Sequence, residues 1–184
     1  MDISQIQSQI SDVTHKNGAK LPPVEKWNPP FCGDMNLVIK RSGQWWHEGT
    51  PFTRHKLVKL FASVLKFEDN KYYLVTPVEK IGIQVEDVPF VVVDDEFTDG
   101  CIFVTTQTGD KVLVSESNPI ELRRFDGIVV PYCNIRRNLW ARVHQNVLYR
   151  WVERAHEIML DDTNDSLKSI GLTSGNYLFS LGEI

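Results

Sequence analysis

The sequence is short of the features that announce a function. It has three cysteines among 184 residues, Cys32, Cys101 and Cys133, and no C-x-x-C. An odd number at long gaps supports neither a zinc framework nor a disulfide scaffold, so the thiols read as small, partly buried side chains in a reducing compartment. Positive charge is not in excess: 20 Lys and Arg against 24 Asp and Glu leave a net charge of −4. Binding to duplex nucleic acid rests on many phosphate contacts and is not expected of such a chain. Two or three cations in one cleft would still hold a small phosphorylated molecule. The longest apolar stretches, such as Pro89–Val93, fall far short of the ~20 residues of a membrane-spanning helix. Met1–Ile10 has neither a basic n-region nor a continuous apolar run. The expectation is a cytoplasmic protein without a membrane partner.

The motifs of catalysis are also absent. No G-x-x-x-x-G-K-[ST] and no G-x-G-x-x-G occurs, so neither common phosphate loop is present. Glu153-x-x-His156 stands alone, whereas a carboxylate-bridged di-iron site needs two such pairs. Asp161–Asp165 lacks the sixth-position glycine and twelfth-position glutamate of a calcium loop. Cys133 lies near Arg136 and Arg137, which would lower its pKa if they were close in space, but no histidine is tied to it. No cofactor, metal ligand or catalytic residue is assigned. An enzyme would require a strongly perturbed carboxylate or thiol in a cleft.

What the chain does have is patterning. Apolar residues make up 42% and charged residues 24%, as in a folded globular protein. Ile3, Ile6, Ile10 and Val13 recur at helical spacing, and Leu57, Leu60, Phe61, Val64 and Leu65 form a second helical face. Pro22-Pro23 and Trp27-Asn28-Pro29-Pro30 read as an extended strap. Alternation predicts strands at 37–39, 44–48, 65–68, 71–76, 81–85, 89–93, 101–106, 111–115, 120–125 and 128–132. Asp94-Asp95-Glu96 and Asp99-Gly100 read as an acidic turn region that closes the first half. Trp140, Val143, Val147, Trp151 and Ile158 predict a long helix over 139–160 capped by Asn138, and 161–184 reads as an irregular tail.

The halves repeat faintly. Ser42-Gly43 leads towards Pro51-Phe52 as Thr108-Gly109 leads towards Pro119-Ile120, and Leu74-Val75-Thr76-Pro77 has a counterpart in Val129-Val130-Pro131. A groove between two similar units would be a natural ligand site. The expected organisation is an N-terminal helix and strap at 1–30, a first β-rich unit at 31–95, a second at 96–160, and the tail.

Two clusters carry binding chemistry. Thr76-Pro77-Val78-Glu79-Lys80 offers a hydroxyl, a carboxylate and an ammonium in one loop. Tyr132 to Arg137 leads into the expected long helix, where an anion beside Arg136 and Arg137 would relieve their conflict with the helix dipole. The bland alternative for both clusters is solvated or ion-paired loop charge.

Gly43-x-Trp45-x-x-Glu48-Gly49-x-Pro51-Phe52-x-Arg54, Leu57-Val58-x-Leu60-Phe61-Ala62, Tyr73 to Lys80, and Val85-Glu86-Asp87-Val88-Pro89-Phe90 together resemble a bacterial family of unknown function, number 1285 in the domain-of-unknown-function series. Trp27-Asn28-Pro29, Gly33-Asp34, Pro131-Tyr132, Arg136, Leu139 and Ala141-Arg142 fit it too, over about residues 20–155. The resemblance implies an α+β protein of two similar β-rich units with short helices. It also implies that the second unit is pleckstrin-homology-like and closed by a C-terminal helix, with a ligand pocket between the units, a nucleotide-like ligand and a role in signalling. On that reading Arg54, Lys80, Arg136 and Arg142 hold the anion, Thr76 and Glu79 orient the polar part, and Trp46 or Tyr132 stacks on a base. The alternative is a protein-interaction adaptor that takes a signalling partner along an edge strand near 101–106.

Overall fold

Alternating burial sets the strands. In the computed structural model, which describes residues 3–17, 21–159 and 168–183, the chain divides into two units, Met1–Pro89 and Phe90–Ile184. In the first unit, Met35, Leu37 and Ile39 are buried along β1 (Phe31–Ile39), while Asp34 and Asn36, which alternate with them, are exposed. The short strands β2 (Trp45–His47) and β3 (Thr50–Pro51) complete one meander. A second meander comprises β4 (Leu65–Glu68), β5 (Lys71–Val75) and β6 (Lys80–Val85). The sheet order is β3-β2-β1-β6-β5-β4. β1 runs parallel to β6, and the other neighbours are antiparallel. Two helices, α1 (Ile3–Asn17) and α2 (His55–Ala62), bury Ile6, Ile10, Val58 and Phe61. The expected face of the second is corrected: Leu57 and Leu60 are half-buried, and Val64 and Leu65 lie beyond the helix, Leu65 opening β4. The Phe61 ring stacks on Trp45 of β2 with centroids 6.4 Å apart.

The second unit repeats this topology. Its strands are β7 (Phe90–Thr98), β8 (Cys101–Thr106), β9 (Lys111–Leu113), β10 (Ile120–Phe125), β11 (Ile128–Arg136) and β12 (Leu139–Val143). The order is β10-β11-β12-β7-β8-β9, with β12 parallel to β7. Counted from the start of each unit, both sheets read 3-2-1-6-5-4. In each, two antiparallel meanders are joined by parallel pairing of the first and last strands. The helix α3 (Gln145–Arg154) follows, and then an antiparallel sheet of β13 (His156–Met159), β14 (Lys168–Ser174) and β15 (Tyr177–Glu183).

Several expectations change. The duplication stands, but the residue alignment behind it was out of register. Ser42-Gly43 joins the first and second strands of its unit, whereas Thr108-Gly109 joins the second and third of the other. The long helix over 139–160 is three elements. Leu139, Ala141 and Val143 are buried on one side of β12, so the period-two pattern wins where both periods fitted. Asn138 lies in the β11–β12 turn beside Arg137 at φ 53°, and the N-cap of α3 is His144, whose Nδ1 accepts from the Asn146 N–H at 3.2 Å. The helix is therefore not terminal, and residues 168–183 of the tail are two paired strands. Asp161–Asp165 lies outside the described residues. Asp94-Asp95-Glu96 is part of β7, which turns at Asp99-Gly100 (φ 52° and 75°), the left-handed pair that a two-residue hairpin requires. β8 pairs on both sides; the edges of that sheet are β9 and β10.

Candidate functional site

In the first unit, the Thr-Pro-x-Glu-Lys run forms the β5–β6 connection. Thr76 is buried. Its Oγ1 accepts from the Glu79 and Val78 N–H groups at 3.1 and 3.4 Å and donates to Gln9 Oε1 of α1 at 2.8 Å. The hydroxyl thus closes the turn and ties it to a helix. Lys80 Nζ lies 2.5 Å from Glu68 Oε2 and 4.6 Å from the Tyr73 ring centroid, and Lys66 reaches the other Glu68 oxygen at 3.1 Å. The hydrogen bond to Lys80, followed by that to Lys66, lowers the Glu68 pKa. The same bond raises that of Lys80. Glu79 is half-buried beside Lys80 in sequence. Trp46 and Arg54 belong to a different part of the sheet. Trp46 pairs with Val38 near the end of β1, whereas Lys80 pairs with Phe31 at its start. Arg54 is exposed just before α2. The unit does not gather its five candidates at one point.

In the second unit, two candidates meet. Tyr132 of β11 and Arg142 of β12 are direct cross-strand partners. Alternation puts Glu121, Arg123 and Phe125 of β10 and Trp140 of β12 on the same face. The Arg123 guanidinium lies 4.1 Å from the Trp140 ring centroid and 5.0 Å from that of Tyr132, and the Arg142 guanidinium lies 5.5 Å from Phe125. Glu121 Oε2 accepts from Arg123 Nη2 at 2.9 Å and Nε at 3.1 Å. A guanidinium over a ring makes a cation–π contact and still has N–H groups that can donate to an acceptor. The expected stacking of a base on Tyr132 is corrected: Tyr132 is 1% exposed, with its ring beneath Arg123, and Trp140 is half-buried. What the face offers a ligand is the arginine edges, which can bind an anion.

Arg136 is used differently. Its guanidinium pairs with Asp110 and covers Phe90 at 4.7 Å. Asp110 Oδ2 in turn accepts from Thr106 and Thr108 at 3.0 and 2.6 Å. Burial lowers the Arg136 pKa, and Asp110 acts against that shift. The expected place beside a helix N-terminus is corrected: Arg136 ends β11, and Arg137 lies in the turn to β12. Cys133 is buried, and desolvation pushes its pKa up to about 12, the opposite of activation. Among the described residues, no group of three or more His, Cys, Asp or Glu is placed to hold a metal ion, and no helix is long and apolar enough to cross a membrane.

Sequence reasoning missed Arg123 and Trp140. Their alternation was legible, but strand register decides which arginine meets which ring. It also missed Asp95, whose fully buried carboxylate accepts from Arg150, Arg154 and Trp151 Nε1 and binds α3 to β7.

A model described as the N-terminal domain of the domain of unknown function DUF1285 matches residues 22–88. One described as the C-terminal domain of the protein of unknown function DUF1285 matches residues 89–181. The crystal structure of a DUF1285 family protein from Silicibacter pomeroyi DSS-3 is similar at 34% identity and a TM-score of 0.84, over 97% of this chain and 95% of that one. Another, from Shewanella baltica OS155, is 32% identical with a TM-score of 0.55, over 71% of this chain and 98% of that one. No curated protein sequence matches.

Proposed function

The chain belongs to the DUF1285 family, and on that premise we propose that it is a non-catalytic module that binds a small anionic, nucleotide-like ligand and serves in signalling. The observation that carries this reading is the Arg123–Trp140–Tyr132–Arg142 face, where two guanidiniums lie on aromatic rings across three adjacent strands. An anion on this face competes with Glu121 for Arg123. That exchange is accessible, because partly exposed ion pairs are weakly held. The finer assignment of the second unit as pleckstrin-homology-like is part of the same proposal. A six-stranded sheet followed by α3 supports it.

The test is a thermal-shift screen of the full chain against mono-, di- and cyclic nucleotides. A ligand at 100 times its Kd adds about 2.7 kcal/mol, which moves Tm by several degrees at this length. A shift that Arg142→Ala and Arg123→Ala each reduce supports the proposal. A flat screen, or a shift that both variants retain, contradicts it.

A further inference from the structure

The first unit carries a second feature, on the outer face of its own sheet. Gly33-Asp34 opens β1, and the pairing of β1 with β6 is irregular on both sides of Asp34: once between Phe31 and Asp34, and again between Asp34 and Val38. Gly33 sits at φ 97°, a conformation that side-chain-bearing residues rarely adopt. Such irregularities re-aim side chains and recur beside functional sites. Opposite Asp34 in the ladder is Gly82 of β6. A Cβ on Gly82 would stand 1.9 Å from Asp34 Oδ1, so the carboxylate rests where the neighbouring side chain would be. Two irregularities, a left-handed glycine and a missing side chain all serve to place one carboxylate.

That carboxylate serves nothing else in the described chain. No hydrogen bond or ion pair engages the side chain of Asp34, nor those of Lys71 and Gln84, which line the same cavity of about 500 Å³. The other charges on the rim are already matched: Lys40 Nζ lies 2.7 Å from Glu86 Oε1, and the Arg41 N–H donates to Glu86 Oε2 at 2.9 Å. One carboxylate and one ammonium remain, with an amide between them that can both donate and accept. The balance is neutral, which disfavours a bare cation or anion. Planar polar side chains in a shallow, open depression suit hydroxyl groups, which donate to the carboxylate and accept from the ammonium and the amide.

We propose that this depression binds the vicinal diol of a sugar ring, with Asp34 accepting from its hydroxyls and Gln84 and Lys71 completing the contact. The diol could come from a free monosaccharide or from a nucleoside. The experiment is an amide NMR titration of the full chain with methyl α-D-mannopyranoside, D-ribose, adenosine, 2′-deoxyadenosine and ethanolamine. The proposal expects the signals of Asp34, Gly82 and Gln84 to move with at least one cis-diol probe, with at least tenfold weaker binding of 2′-deoxyadenosine than of adenosine if adenosine binds. Adenosine alone would name the nucleoside source, and mannoside or ribose the free sugar. Asp34→Ala, at an exposed site and checked for an unchanged amide spectrum elsewhere, should abolish the shifts. Gly82→Ala should do so too, by displacing the carboxylate. Perturbation by ethanolamine alone, no response to any diol at tens of millimolar, or a response that survives Asp34→Ala overturns the proposal.

Discussion

Asp95 shows how far one side chain can organise its surroundings. Its carboxylate is 1% exposed, while its partners Arg150 and Arg154 are 37% and 48% exposed. The arginines can return to water if the acid is removed, but Trp151 Nε1 is then left buried without its acceptor. Hydrogen bonds to charged groups are each worth about 1.5–3 kcal/mol. Asp95→Ala should therefore lower stability by about 2–4 kcal/mol in urea denaturation, and Asp95→Asn by less; a loss under about 0.5 kcal/mol for the alanine would refute the anchor. Cys133 gives a chemical test at the same scale. With its pKa near 12 it stays a buried thiol, so in the native state at pH 8 an alkylating reagent should label exposed Cys32 and leave Cys133 until the protein unfolds. Labelling of Cys133 at the rate of Cys32 would contradict this.

The Lys80–Glu68 pair sets a pH dependence. A lowered carboxylate pKa contributes stability above the ordinary carboxylate range, which is lost as pH falls through the folded value. A raised lysine pKa contributes below the ordinary lysine range, lost as pH rises through the folded value. From these directions, the stability difference between the native chain and Lys80→Gln should be steady around neutral pH and shrink below about pH 4 and above about pH 11. Salt should reduce it, because the pair is partly exposed. A difference that grows on acidification would reverse the assignment. At this scale much of the candidate site was not legible. Tyr132 and Arg142 stood out in one cluster of the sequence, whereas their union with Arg123 and Trp140 depends on cross-strand register, which no local pattern encodes.

At the scale of elements, legibility followed the strength of a single period. The face of α1 and the alternation of β6 and β8 were readable because each fits one template, whereas the apolar pattern read for α2 ran on into β4. Residues 139–154 fit two. Trp140, Val143, Val147 and Trp151 satisfy the helical period, and Leu139, Ala141 and Val143 satisfy the strand period; pairing with β7 and β11 decides for the strand before α3 begins. The strands of 168–183 were hidden for another reason: Ser169, Gly171 and Ser180 supply few of the β-branched and aromatic residues that mark a strand. There a small residue is a packing requirement. A Cβ at Gly171 would come within 2.4 Å of both Ile158 Cδ1 and the Phe179 carbonyl oxygen. Gly171→Ala should cost about 1–3 kcal/mol through overpacking, measured by thermal or urea unfolding. A neutral substitution would mean that β13 and β15 yield more readily than their pairing implies.

For the whole molecule, the matched topology of the two sheets is stronger evidence of duplication than the sequence repeat that suggested it. The repeat aligned turns that are not equivalent, because glycine-containing turns recur in every β-rich chain, while 3-2-1-6-5-4 with one parallel pairing recurs here in full. The copies then diverged: the first inserts α2 between its third and fourth strands, and the second extends into α3 and a third sheet. The arginine–aromatic face belongs to the second copy. The most direct test of its role is calorimetric titration of the full chain with the nucleotide that gives the largest thermal shift, or with ATP, AMP and cyclic AMP in turn if none stands out, alongside Arg142→Ala and Arg123→Ala variants of unchanged circular dichroism. Saturable binding that weakens at least tenfold in each variant, about 1.4 kcal/mol, is the predicted result. No heat from any of these nucleotides, or equal affinity in all three proteins, would contradict the account.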